Sequence, residues 1–173
     1  MELDGKGGER VVAELSGPAI HLRRVEASDC SQIWEWANDP EVRHASFAPQ
    51  PIPWEAHTQS FRGKLEDPAC TYFVGLDESD RSVGQVRFDT EGCDAVISIS
   101  LDRTFRGRGF GTALIRAACD RVFAETGIST IRAYTQPLNS ASIRAFERAG
   151  FANHGRTERL TGPAVELILR RHG

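Results

Sequence analysis

Nowhere in this 173-residue chain does an apolar run approach the ~20 residues needed to cross a bilayer. The opening segment MELDGKGGER lacks the basic and apolar regions of a signal peptide, so neither a membrane nor a secreted setting is expected. Cysteine is sparse and scattered. Cys30, Cys70, Cys93 and Cys119 form no CxxC pair and no metal-ligand spacing, which excludes a zinc module or a disulfide framework and leaves no metal expected. They read as small buried hydrophobes of a reduced, cytoplasmic protein. Excess positive charge is also missing. A formal net charge of −3 argues against nonspecific phosphate neutralisation, so no nucleic-acid partner is expected. No internal repeat or low-complexity tract appears. With 40% hydrophobic and 26% charged residues, the chain has the composition of one globular domain with a substantial core.

Hydrophobic periodicity divides the chain into short elements. Residues 1–18 read as a polar tail with an apolar patch, Val11-Val12-Ala13, that suits an edge strand; residues 19–173 read as the domain. Ile20 to Val25 alternates like a half-buried strand, and Ala27 to Ala37 has helical spacing ended by Asn38-Asp39-Pro40. Glu41 to Pro53 is expected to be irregular, with a second helix from about Trp54 to Leu65. Strands are expected over Thr71–Leu76, Ser82–Asp89 and Ala95–Leu101, the first two joined by the turn residues Asp77 to Asp80. In the third, Ala95, Ile97, Ile99 and Leu101 make one apolar face, while Ser98 and Ser100 put hydroxyls on the other. A long amphipathic helix over Gly109–Ala124 follows, then a strand over Thr130–Thr135 and a helix over Asn139–Ala149. Gly150 suits a left-handed helix terminus that folds Phe151 back onto Phe146. Strands over Phe151–Arg156 and Ala164–Arg170 close the chain. This order gives a mixed α/β (α+β) sheet, not regular βαβ winding.

One segment carries chemistry: Leu101-Asp102-Arg103-Thr104-Phe105-Arg106-Gly107-Arg108-Gly109-Phe110-Gly111-Thr112. Its three glycines leave backbone N–H groups unshielded, and the helix it opens aims its unpaired N–H groups and positive dipole end at the same place. Arg103, Arg106 and Arg108 add charge, so the segment suits a diphosphate; the plainer alternative is a flexible basic turn. A dinucleotide fingerprint is excluded because its last glycine would fall on Thr112 or Leu114. A P-loop is excluded because the segment has no lysine.

Arg106-x-x-Gly109-x-Gly111, after a hydrophobic strand and at the start of a long helix, resembles the acetyl-CoA signature of the GNAT superfamily of N-acetyltransferases. Asn139 to Phe151 resembles a second signature of that family, at its usual distance downstream. Ile33 to Arg43, His57 and Gly84 to Asp89 are similar to amino-sugar N-acetyltransferases of pseudaminic acid synthesis, and ribosomal-protein N-terminal acetyltransferases share a version of the pattern.

The resemblance implies a mainly antiparallel central sheet with flanking helices, a fourth strand splayed from the fifth, and acetyl-CoA as acyl donor. Ile99, Ser100 and Leu101 would then line the pantetheine arm. The amides of Arg106, Gly107, Arg108, Gly109, Phe110, Gly111 and Thr112 would hold the pyrophosphate, and Asn139 would reach the arm. A backbone N–H near Ile99 or Ser100 would stabilise the oxyanion during direct transfer. Many family members carry a tyrosine seven residues after the asparagine. Here Phe146 stands there and has no proton to give, which leaves water, solution or a hydroxyl such as Ser142 for the departing thiolate. His57 is the favoured polar group on the acceptor side, with Glu91, Asp89 and Ser98 as further candidates. Trp34, Trp36 and Trp54 offer stacking faces or core packing. Arg43 and Arg87 offer charge to an acceptor phosphate or ordinary ion pairs. The expected partner is a small amine: an amino sugar or nucleotide-linked amino sugar first, an aminoglycoside or a peptide N-terminus second. The expected assembly is a monomer or homodimer. A CoA-binding regulatory module without turnover is the alternative of a different class.

Overall fold

The computed structural model describes residues 17–173. The edge strand expected around Val11 to Ala13 lies outside the described residues. The chain runs β1 (His21–Arg24), a 3-10 turn (Ala27–Asp29), α1 (Cys30–Ala37), α2 (Pro40–Ala45), α3 (Trp54–Glu66), β2 (Cys70–Leu76), β3 (Ser82–Glu91) and β4 (Asp94–Leu101). A second 3-10 turn (Arg103–Phe105) leads to α4 (Phe110–Glu125), β5 (Thr130–Thr135), α5 (Ser140–Arg148), β6 (Ala152–Arg159) and β7 (Gly162–Arg170). The segment read as irregular, Glu41 to Pro53, departs from expectation at its start. Asp39 accepts a hydrogen bond from the Glu41 N–H at 3.0 Å, and Pro40 enters the first turn, so a short helix forms that has too few residues to show periodicity.

The seven strands form one sheet in the order β1-β2-β3-β4-β5-β7-β6, antiparallel except for β4 beside β5. Alternation along the strands builds two apolar layers. Phe73, Val86, Phe88, Ile97, Ile131 and Leu167 face α4 and α5, meeting Leu114, Ile115, Ala118, Val122 and Phe146. Tyr72 and Val74, from the other face, meet Ile33 and Trp36 of α1 and Phe61 of α3. The turn after α5 forms as its sequence implies. Gly150 is left-handed at φ 101°, the Phe151 N–H donates to the Phe146 carbonyl at 3.1 Å, and the two rings pack edge-on with centroids 5.0 Å apart.

β4 is held against β3 at a tight point. A Cβ built on Gly84 would collide with the Ser100 carbonyl oxygen and lie 3.0 Å from Leu101 Cα. Gly84→Ala should therefore force the strands apart there and destabilise the fold by about 2 kcal/mol. Urea denaturation measures this, and a loss near zero would show that the β3–β4 spacing is slack.

Candidate active site: the wedge between the parallel strands

β4 and β5 pair only through Asp94↔Thr130, Ala95↔Ile131 and Val96↔Arg132. Beyond that point each strand continues beside its other neighbour, β4 along β3 as far as Leu101↔Gly84 and β5 along β7 as far as Thr135↔Val165. The result is a wedge that opens toward the C-terminal ends of both strands. The orientation of the β4 backbone follows from one bond. The Asp102 N–H donates to the Val83 carbonyl at 2.8 Å, so, by alternation, the peptide groups of Ser100 also point at β3. Those of Ile99 and Leu101 point into the wedge. The Leu101 carbonyl is already engaged there by Arg106 Nη2 at 2.9 Å.

The glycine-rich segment follows directly from the end of β4, where the wedge opens. Gly107 and Gly109 adopt φ of 70° and 83°, values that a side chain would resist, and Gly109 is the N-cap of α4. The first N–H to close onto the helix is that of Ala113, 3.1 Å from the Gly109 carbonyl. The N–H groups of Phe110, Gly111 and Thr112 precede it and have no acceptor within the helix. Gly111 lets the helix lie close to β4: a Cβ there would sit 3.2 Å from Leu101 Cδ1. The Phe110 ring is buried edge-on against Phe105 at 4.9 Å, which anchors the turn.

The three arginines differ. Arg106 Nη1 pairs with Asp39 at 3.1 Å and Glu41 at 2.9 Å. Arg108 donates to the Thr104 carbonyl at 3.1 Å and lies over the Phe105 and Phe110 rings. Arg103 is exposed, 3.7 Å from Asp39. What the segment offers an anion is therefore chiefly backbone N–H, with two exposed guanidinium groups at its rim. Asp102 accepts from the Thr104 N–H at 2.9 Å and from Trp36 Nε1 at 3.0 Å, which braces α1 to the end of β4. Burial alone would raise the Asp102 and Asp39 carboxyls. The hydrogen bonds from Thr104 to Asp102, and from Arg106 and the Glu41 N–H to Asp39, outweigh it and hold both below the ordinary range.

Across the wedge, Asn139 caps α5, its Oδ1 accepting from the Ser142 N–H at 3.2 Å. Ser142 is half-buried in the first turn, and Phe146 lies in the main core at 3% exposure. Ser100 is buried, and its hydroxyl accepts from Gln85 Nε2 at 2.7 Å on the α1 side of the sheet.

Several acceptor-side candidates lie elsewhere or are engaged. His57 is 8% exposed, its Nε2 2.9 Å from the Cys30 carbonyl and its ring stacked 5.7 Å from Phe61, so it joins α3 to α1. Arg43 donates to the carbonyls of Ala37 and Ala48 and to the Ser46 hydroxyl. Arg87 pairs with Asp89, which also binds Lys64. Glu91 opposes Asp94, and Asp89 opposes Val96, at the end where β4 and β5 are still paired; Ser98 opposes Arg87, past the last pair. Trp36 is buried, Trp34 Nε1 donates to the Ile52 carbonyl at 2.8 Å, and Trp54 is the exposed one at 44%.

Sequence reasoning missed a polar cluster on the α1 face beside the wedge. The Tyr134 hydroxyl and Arg132 Nη1 each lie 3.0 Å from Glu166 Oε1, and Arg159 covers the Tyr134 ring at 3.7 Å. Alternation in β5 and β7 marked these positions as the polar face, but only the β5–β7 register brings them together. Among the described residues, no group of three or more histidine, cysteine, aspartate or glutamate side chains is placed to hold a metal.

Asp39 is a testable brace between α2 and the glycine-rich segment. Because its folded pKa is depressed, its stabilisation is present above the unfolded value of about 4 and is lost as pH falls through the folded one. Asp39→Asn should cost about 1 kcal/mol at pH 7, and the gap in melting temperature to the parent protein should close as pH falls below 4. A gap independent of pH would show that the charge contributes nothing.

A family model described as "Acetyltransferase (GNAT) domain" matches residues 19–152. Aminoglycoside N(6')-acetyltransferase type 1 of Klebsiella pneumoniae is 35% identical, with 90% of this chain and 85% of that protein covered. L-2,4-diaminobutyric acid acetyltransferase of Streptomyces coelicolor is 28% identical over 81% and 79%. Among solved structures, AAC(6')-Ib in complex with ribostamycin and coenzyme A superposes with TM-score 0.79 at 20% identity, over 88% of this chain and 94% of that one. Spermidine N-acetyltransferase from Vibrio cholerae in complex with CoA and spermine gives 0.78 at 19%, over 87% and 95%. The structural likenesses establish the fold, and the sequence matches establish the lineage: this protein belongs to the GNAT acetyltransferases, acyltransferases whose donor is acetyl-CoA.

Proposed function

We propose that the protein transfers acetyl from acetyl-CoA to a primary amine of a small molecule of the amino-sugar class, aminoglycosides included. The observation that carries this reading is the wedge past Val96↔Arg132 with the N-terminus of α4 packed beside Leu101 at the end of β4. The donor's pyrophosphate would rest on the N–H groups from Gly107 to Thr112, where helix dipole and open donors coincide. Its pantetheine arm would run along β4 against Ile99 and Leu101, with the Asn139–Ser142 turn on the other wall. A neutral amine attacks the thioester carbon, and the Ile99 N–H, aimed into the wedge, stabilises the oxyanion better than the Ser100 N–H, which is turned toward β3. The C–N bond forms, the C–S bond breaks with its electron pair on sulfur, and the amine's proton passes to solvent. Phe146 supplies an apolar wall, and the Ser142 hydroxyl or water serves the departing thiolate.

Ser98, Tyr134 and Glu166 would face the acceptor, whose ammonium finds a carboxylate in Glu166. His57, bound to the Cys30 carbonyl, acts as a strut between α3 and α1 and not as the base. The support that Arg43 lent to a nucleotide-linked sugar falls away, since its guanidinium is spent on backbone carbonyls and a serine hydroxyl. The curated relatives named for aminoglycosides and for diaminobutyrate are named for small amine substrates, which supports an acceptor of that size.

Thiol release from acetyl-CoA, across aminoglycosides, UDP-linked amino sugars, polyamines and short peptides, tests the reading. Turnover is expected with an amino sugar or aminoglycoside and not with peptides. Binding of acetyl-CoA without turnover would favour a regulatory module, and no binding at all would sink the proposal. His57→Ala should lower the melting temperature yet leave the pH profile of turnover unchanged; a shifted profile would restore it as a base.

A further inference from the structure

We infer that the Thr135 hydroxyl is a binding contact for the acyl-donor arm inside the wedge, an inference that rests on the reading of that wedge as the acetyl-CoA site. Thr135 is the last residue of β5 and lies three residues past the final β4–β5 pair. Its side chain alternates with those of Ile131 and Ala133, so it points to the α5 side of the sheet, where those two residues share one apolar cluster with Phe146. Only 5% of Thr135 is exposed, and its Oγ1 finds no hydrogen-bond partner among the described residues.

A buried hydroxyl without a partner costs free energy, and valine would fill the same volume of a β-strand without that cost. The strand itself supplies no remedy, because β7 pairs with β5 along the opposite edge through Thr135↔Val165. The other unpartnered buried atom, Gln85 Oε1, differs: its amide already donates to Ser100, and it sits on the α1 side of the sheet. Thr135 instead stands at the wall of the wedge. The ligand chemistry that would satisfy it is a flexible arm carrying amide carbonyls, amide N–H groups and a thioester sulfur, each able to meet a hydroxyl that both donates and accepts. A pantetheine arm laid between β4 and β5 passes this wall.

The inference predicts opposite signs in the free and bound protein. Thr135→Val should melt at the same temperature as the parent protein or higher when free, and should bind CoA about fivefold more weakly by calorimetric titration. Thr135→Ser and Thr135→Ala, which differ by the hydroxyl alone, should fall on either side, with Ser close to the parent. These two carry the test if the valine variant folds poorly. Unchanged CoA affinity in Thr135→Val, or Ser no better than Ala, would overturn the inference while leaving the acetyl-CoA site intact. A parent protein that does not bind CoA would overturn both.

Discussion

Two parallel strands that stop pairing after Val96↔Arg132 are the constraint on which the rest of this structure depends. Parting neighbouring strands abandons hydrogen bonds that a continuous sheet would have made, so the parted edges must be held from outside. β4 is held by β3, which approaches it so closely that only glycine fits at Gly84, and β5 is held by β7 along its whole length. α4 and α5 then clamp the apolar side, with Leu114 and Phe146 in one cluster with Ile97 and Ile131. The wedge is thus a rigid feature and not a frayed end.

The same constraint governs how a chain of net charge −3 can hold a polyanion. Arginine is abundant at the mouth of the wedge, yet Arg106 is committed to Asp39, Glu41 and the Leu101 carbonyl. Its work is mechanical: it ties α2 to the turn that Gly107 and Gly109 make possible. The positive character left for a ligand comes from peptide dipoles at the start of a sixteen-residue helix, which need no net charge and no side-chain ordering. Open N–H groups at a helix start suit a phosphate group, whereas nucleic-acid binding draws on many separate cations.

Most of the fold was legible because its periods are clean. The strand over Thr130–Thr135 was bounded to the residue, α4 and α5 to within about one residue, and the Gly150–Phe151 turn from one glycine and two aromatic rings. The glycine-rich segment was legible as a turn that opens a long helix, because its glycine spacing and the apolar period that follows speak together. The short helix over Pro40–Ala45 was not, since six residues cannot display a 3.6-residue period. His57 and Arg43 show the same limit in side chains. Both are polar residues whose partners are backbone carbonyls, Cys30 for one and Ala37 and Ala48 for the other, and the location of a carbonyl is a tertiary fact that no residue identity encodes. The Tyr134–Glu166 pair stayed hidden for a related reason: 32 residues separate its members, and register alone joins them.

Phe146 has a wider consequence for how the site is built. With an aromatic ring that carries no hydroxyl buried against Phe151, α5 presents apolar surface to the wedge except at its first turn, where Asn139 is spent on capping and Ser142 is half-buried. Beyond that turn, polarity at the wedge falls to its two strands: the peptide edge of Ile99 on β4 and, on the inference drawn above, the unpartnered hydroxyl of Thr135 on β5. Groups mounted on strands move less than groups on loops, because each is held by a ladder of bonds to the next strand. A transfer that needs no enzyme-bound intermediate draws its rate from holding two reactants in register. A site whose polar groups are drawn mainly from a sheet, with helices supplying the anion hold, the apolar wall and one half-buried hydroxyl at Ser142, is suited to that kind of catalysis.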